Sequence, residues 1–175
     1  MILDLSDVLS EQHTTIEKDV PIELETFISR VGEFRILEKQ PLALKVEHRK
    51  ERKLCITGKG SLVAEIPCDR CLKPVRTELV LDFVKNVNLD AEDAEQTEEL
   101  DETNYIDGYG LDVDKLVYNE VLIGWPTKIL CSEDCKGICN VCGQSLNQGT
   151  CDCEDTSLDP RMSVIRDVFK NFKEV

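Results

Sequence analysis

The stretch LCITGKGSLVAEIPCDRCLKPVRTELVLDF, residues 54–83, reads as two strands joined at a pair of cysteines. Leu54, Ile56, Leu62, Ala64 and Ile66 keep one even phase through Gly58 and Gly60. One long strand kinked at the glycines explains that phase better than a tight hairpin between them, which is the alternative. Beyond Cys68–Cys71, the residues Val75, Thr77, Leu79, Leu81 and Phe83 alternate with Arg76, Glu78 and Asp82, so the chain returns antiparallel. The cysteine pair therefore caps a hairpin of two core strands.

Working outward, Leu42-Ala43-Leu44-Lys45-Val46-Glu47 alternates strictly and adds a strand with one buried face. Charged residues from Arg49 to Lys53 make the turn after it. Residues 1–40, with Ile2, Leu3 and Leu5 apolar and Pro21 limiting any helix nearby, read as short strands or an edge hairpin. Asp112 is placed to cap a helix carrying Val113, Leu116, Val117 and Val121 at helical spacing, which Gly124 and Pro126 end. That helix is expected on the sheet, with Trp125 as a core plug. At the tail, Asp159-Pro160 opens an amphipathic helix with Met162, Ile165, Phe169 and Phe172 on one side and Arg161, Arg166, Lys170 and Lys173 on others. The fold class is α+β: an antiparallel β-sheet core with a few short helices and a cysteine-rich, zinc-binding C-terminal segment. Residues 1–130 form the core domain, and residues 131–175 the cysteine segment and a helix packed on the core.

Six cysteines crowd between Cys131 and Cys153, in CSEDCKGICNVCGQSLNQGTCDC. Thiolates this close repel one another and have little apolar cover, so a soft dication that neutralises them is the natural resolution. Cys139 and Cys142 can grip one tetrahedral ion while Gly143 permits the tight turn, and Cys151 and Cys153 supply the opposing pair. The remaining cysteines give a second set of four, Cys68, Cys71, Cys131 and Cys135, and leave Cys55 as a small buried hydrophobe in a strand. Sharing of one ion across Cys135 and Cys139 stays open at this point. Disulfides are disfavoured because the sequence MILDLSDVLSEQ has neither a basic n-region nor an apolar h-region. A thiol redox centre uses one pair at a helix start, which these pairs do not match. An iron–sulfur cluster takes similar thiolates, but paired knuckles favour closed structural zinc.

The chain has 175 residues, 5% aromatic, so its core rests on Leu, Val and Ile. No apolar run approaches bilayer length, and a soluble, cytoplasmic protein is expected. A net charge of -14 argues against non-specific coating of nucleic acid. Much of the negative excess lies in residues 90–102, a run with the composition of a solvated loop. Cations gather at Arg49, Lys50, Arg52 and Lys53, and again at Arg70, Lys73 and Arg76.

Taken together, Cys-Asp-Arg-Cys-Leu-Lys-Pro from Cys68 to Pro74, Trp125-Pro126, Cys135-Lys136-Gly137-Ile138-Cys139, Cys142-Gly143, Leu146-Asn147, Cys151-Asp152-Cys153 and Asp159-Pro160-Arg161 resemble the bacterial YceD family, named for accumulation of large-subunit ribosomal RNA. Asn140 stands where that family often has proline, which leaves the second knuckle looser without removing a ligand. Some members lack the cysteines matching Cys139, Cys142, Cys151 and Cys153, so the resemblance implies that this site stabilises one branch. It further implies a non-catalytic ribosome-biogenesis factor acting on or near large-subunit ribosomal RNA or its early protein partners.

On that reading, rigid zinc sites would present Arg70, Lys73 and Arg76 to phosphates. The alternative is a zinc-stabilised adaptor whose acidic loop, residues 90–102, attracts basic ribosomal or RNA-processing proteins. An enzyme is disfavoured. Catalytic zinc keeps an open position beside histidine or carboxylate ligands, and the histidines here, His13 and His48, lie in no ligand motif.

Overall fold

The computed structural model describes residues 1–10, 14–49, 53–88 and 104–153. The acidic run 90–102, the tail helix expected from Asp159, and Lys50, Arg52 and His13 lie outside the described residues. The chain divides into two compact units. The first comprises Met1–Ile66 and Val75–Ile129; the second joins Pro67–Pro74 to the chain from Leu130 onward.

The first unit is mostly antiparallel sheet. The chain's described elements in order are β1 (Ile2–Asp4), α1 (Ser6–Ser10), β2 (Thr15–Val20), β3 (Thr26–Ser29), β4 (Gly32–Lys39), β5 (Leu42–Arg49), β6 (Lys53–Pro67), β7 (Pro74–Asn88), β8 (Ile106–Asp107), β9 (Gly110–Asp112) and α2 (Val113–Ile123), all within this unit but for the end residues Pro67 and Pro74. Strands β1, β9 and β8 form a small sheet, and β2 to β7 a six-stranded one. β6 is a single 15-residue strand that continues unbroken through Gly58 and Gly60, so no hairpin closes there. β5 pairs with its first half, from Arg49 opposite Lys53 to Ala43 opposite Lys59. β4 pairs with its second half, Lys39 opposite Leu62 and Ile36 opposite Ala64, with a register shift between Ile36 and Glu38. β7 pairs with β6 as the returning arm of the hairpin.

The even phase of β6 has a physical outcome: Leu54, Ile56, Leu62, Ala64 and Ile66 are all buried, as are Leu42, Leu44 and Val46 of β5 and Leu79, Leu81 and Phe83 of β7. Gly58 is fixed by packing. A Cβ there would lie 2.3 Å from Cζ of Phe83, so the aromatic ring occupies the space that any side chain would need.

Helix α2 forms as the sequence predicts. The Asp112 carboxylate accepts from the backbone N–H groups of Asp114 at 3.1 Å and Lys115 at 3.2 Å, satisfying two orphan donors of the first turn. The N–H of Gly124 closes the other end on the Glu120 carbonyl at 2.9 Å. Val113, Leu116, Val117 and Val121 are buried in the core, and Trp125 stacks on Phe27 with ring centroids 5.0 Å apart. Asp114 then ties the helix to a distant segment by accepting from the N–H groups of Glu23 at 2.8 Å and Leu24 at 3.1 Å.

The first forty positions depart from expectation in one place. Short strands are present, but Ser6–Ser10 is a helical turn, begun where Asp4 accepts the Ser6 N–H at 2.8 Å and buried through Val8. Among the described residues, no helix is long and apolar enough to cross a membrane.

Because the Phe83 ring fills the space over Gly58, Gly58→Ala should cost about 1–3 kcal/mol of stability through overpacking. Urea unfolding would show this as a lower midpoint with the slope unchanged; an unaltered midpoint would contradict the placement of the ring.

Candidate metal centre

Two turns of like geometry shape the second unit. In the first, spanning Cys68 to Lys73, the Cys68 N–H donates to the Lys73 carbonyl and the Leu72 N–H to the Cys68 carbonyl, both at 2.9 Å. In the second, the Cys139 N–H donates to the Gln144 carbonyl at 2.8 Å and the Gly143 N–H to the Cys139 carbonyl at 2.9 Å. Each turn puts the residue after its second cysteine in the left-handed region. Gly143 adopts φ 74° without strain, whereas Leu72 holds φ 59° with a branched side chain.

The segment after Cys131 is tied to the first turn by polar contacts. Arg70 donates from its guanidinium to the Cys135 carbonyl at 2.7 Å. Gly137, at φ 83°, lies so close that a Cβ would meet the Arg70 carbonyl oxygen at 3.0 Å.

The eight cysteines expected as ligands fall into two groups. Cys68, Cys71, Cys131 and Cys135 form one, Cys139, Cys142, Cys151 and Cys153 the other, and within each group the ligand atoms all lie within 4.8 Å of one another. Cys135 therefore sits with the first group and Cys139 with the second, although three residues separate them. Cys68 and Cys135 place their sulfurs 3.8 Å apart, and Cys71 and Cys131 3.5 Å. A disulfide brings sulfurs to about 2.05 Å. Four sulfurs about 2.3 Å from a central ion span a tetrahedron with edges of about 3.8 Å, so these separations fit a metal cradle. None of the nine cysteines is in a disulfide, and Cys55 is buried in the core of the first unit.

The electrostatics within each group are uneven. Burial pushes the Cys68 thiol up, but the backbone N–H groups of Arg70, Cys71 and Cys131 outweigh it and bring it down to about 6. For Cys71 the Lys73 N–H favours the thiolate, yet desolvation and the neighbouring sulfurs of Cys131, Cys135 and Cys68 drive it up to about 12. In the second group the N–H groups of Cys142 and Val141 lower Cys139 to about 6, while the sulfur of Cys142, then desolvation, raises Cys153 to about 12. Some sulfurs in each set thus ionise readily and suppress ionisation of their neighbours. A dication removes that conflict by neutralising all four.

One contributor escapes sequence reasoning. Asn147 donates from Nδ2 to the Cys135 sulfur at 3.3 Å, and this donation is the leading reason that the Cys135 thiol is lowered. Twelve residues separate the two, so no local spacing announces the contact; the only sequence signal was membership of Asn147 in the Leu146-Asn147 pair. The proposed contact residues have mixed settings. Arg70 and Lys73 are exposed in the second unit; Arg76, exposed on β7 of the first, forms an ion pair with Glu38. His48 is buried in the first unit, and among the described residues these two cysteine sets are the clusters able to hold an ion. Both are all-sulfur sets of four, an arrangement that would close off a bound ion and suit a structural role.

The left-handed Leu72 makes a direct prediction. Leu72→Gly should stabilise the metal-loaded chain by about 0.5–1 kcal/mol, the relief of about 1–2 kcal/mol of backbone strain less the added entropy of an unfolded glycine. Loss of stability in a denaturant titration would show that the Leu72 side chain contributes more than the strain it imposes.

A family model described as large ribosomal RNA subunit accumulation protein YceD matches residues 56–169. One uncharacterized protein of Mycobacterium bovis and two of Mycobacterium tuberculosis are each 27% identical over 136 residues, covering 78% of this chain and 63% of their own length. The chain thus spans less than two thirds of those relatives. No solved structure matches it. The matched span takes in all eight clustered cysteines together with both turns that present them, and the chain belongs to the YceD family of large ribosomal RNA subunit accumulation proteins.

Proposed function

We propose that this chain is a non-catalytic, cytoplasmic ribosome-biogenesis factor that supports accumulation of large-subunit ribosomal RNA, with zinc held at two structural sites. The family description supports the process. The observation that carries the structural part is the pair of four-sulfur cradles, each with ligand atoms within 4.8 Å of one another. Cys68, Cys71, Cys131 and Cys135 would hold one ion and Cys139, Cys142, Cys151 and Cys153 the other. Neither offers an open coordination position for chemistry on a substrate. The ions would instead fix the turns that carry the exposed Arg70 and Lys73, and those cations, with Arg76, would contact large-subunit ribosomal RNA or a pre-ribosomal protein. DNA and membranes are not expected partners.

Charge favours keeping a second reading, a zinc-stabilised adaptor for basic ribosomal or RNA-processing proteins. In the described part of the second unit four acidic residues, Asp69, Glu133, Asp134 and Asp152, outnumber three basic ones, Arg70, Lys73 and Lys136. Each tetrathiolate around a dication adds two further negative charges. Together with the chain's net charge of -14, this gives phosphate contacts little long-range attraction and basic proteins a good deal.

Lys73→Glu with Arg76→Glu separates the two readings, because neither side chain is tied into the turns as the Arg70 guanidinium is to the Cys135 carbonyl, and the Lys73 backbone bonds survive the substitution. RNA binding predicts at least a tenfold loss of affinity for large-subunit ribosomal RNA and reduced large-subunit peaks in ribosome profiles, with metal content unchanged. Normal RNA association and normal profiles would remove the cationic site. In that event, deletion of residues 90–102 should weaken capture of basic ribosomal proteins and flatten its salt dependence; unchanged capture would remove the adaptor.

A further inference from the structure

The two cysteine sets share a loop. Residues 143–150 connect Cys142 to Cys151, both in the second set, and Gly143 and Gln144 bond back to Cys139 of that set, yet Asn147 within the loop reaches Cys135 of the first. Asn147 accepts the Lys136 N–H on Oδ1 at 2.7 Å and donates from Nδ2 to the Cys135 sulfur at 3.3 Å. Beside it the Leu146 N–H donates to the Gly137 carbonyl at 3.0 Å, and Ile138 and Ser145 form an antiparallel bridge. Within the loop the Gln148 N–H donates to the Ser145 carbonyl at 3.2 Å. Gln144, Asn147, Gln148, Gly149 and Thr150 are exposed, and Ser145 and Leu146 are only half-buried. A short polar loop of this kind holds one conformation only if its ends are fixed and its polar groups are engaged.

We propose that Asn147 is a positioning residue that couples metal loading at the two sites. Closing Cys139, Cys142, Cys151 and Cys153 around one ion pins both ends of the loop and aims the Asn147 amide at Cys135. That donation orients the Cys135 sulfur and disperses its charge, as outer hydrogen bonds to metal ligands do. Binding free energies are reciprocal, so an ion held by Cys68, Cys71, Cys131 and Cys135 must favour the second site by the same factor. The inference rests on the reading of both cysteine sets as zinc sites.

The test uses the full-length, zinc-loaded chain and its Asn147→Ala variant. Chelator is added to remove one equivalent of zinc per chain, and the loaded species are counted by native mass spectrometry. Coupled sites leave the original chain mainly as doubly loaded and empty molecules, whereas Asn147→Ala accumulates the singly loaded form and gives up zinc from one site about tenfold faster. After cadmium substitution, the ¹¹³Cd resonance of one site should move in Asn147→Ala while that of the other stays. A statistical mixture of empty, single and double species in the original chain would overturn the coupling, and so would an Asn147→Ala chain identical to it in both species and rate. In either case two bound equivalents would leave the two-site reading standing. A chain that starts with no zinc, or with one ion, overturns both.

Discussion

Four sulfurs held within 4.8 Å of one another, twice over, are the constraint on which the second unit depends. Of its described residues, the buried apolar side chains are those of Cys68 and Cys135, both ligand candidates themselves. The described part of this unit has no hydrophobic core to offset the entropy of ordering its chain. Structural zinc contributes about 10–16 kcal/mol of apparent binding free energy in small peptides, enough to replace that missing core. Cys68 and Cys71 are separated by some sixty residues from Cys131 and Cys135, so an ion shared among them would close a long loop as well as quench four thiolates.

The first unit is held differently. Its core is assembled from strands whose alternate residues face one way, and β6 organises it by pairing with β4, β5 and β7 at once. The packing of Phe83 over Gly58 shows how closely the hairpin arms meet. Specific polar ties add to this core: Asp112 caps α2, Asp114 catches the segment before β3, and Lys85 meets Glu120 at 2.7 Å where both are largely buried.

Where periodicity or spacing carries the information, the sequence was legible. The even phase from Leu54 to Ile66 predicted one long strand, and the Asp112 cap and Gly124 stop bounded α2. The cysteine spacings suggested the same two sets of four that the structure brings together. What stayed hidden depends on contacts remote in sequence or on backbone angles. The turn at Ser6–Ser10 is too short for a helical period to register. Asn147 stood out only as part of the Leu146-Asn147 pair, because its partner is twelve residues away. The left-handed Leu72 was invisible, since leucine is the wrong residue to predict there, while Gly143 at the matching position announced its turn. The partner is harder to read than the fold, because three cations on an acidic chain carry no sequence pattern peculiar to RNA or to protein.

Ribosome biogenesis and two rigid metal-held turns form one account only if the metal is present and structural. The most direct measurement is elemental analysis of zinc per chain in protein purified under reducing conditions without added metal, repeated on Cys68→Ser and Cys139→Ser. The account predicts two equivalents of zinc in the original chain and the loss of the mutated site's ion in each variant, with no visible absorption from iron. Absence of metal, a single equivalent, or an iron chromophore would contradict it.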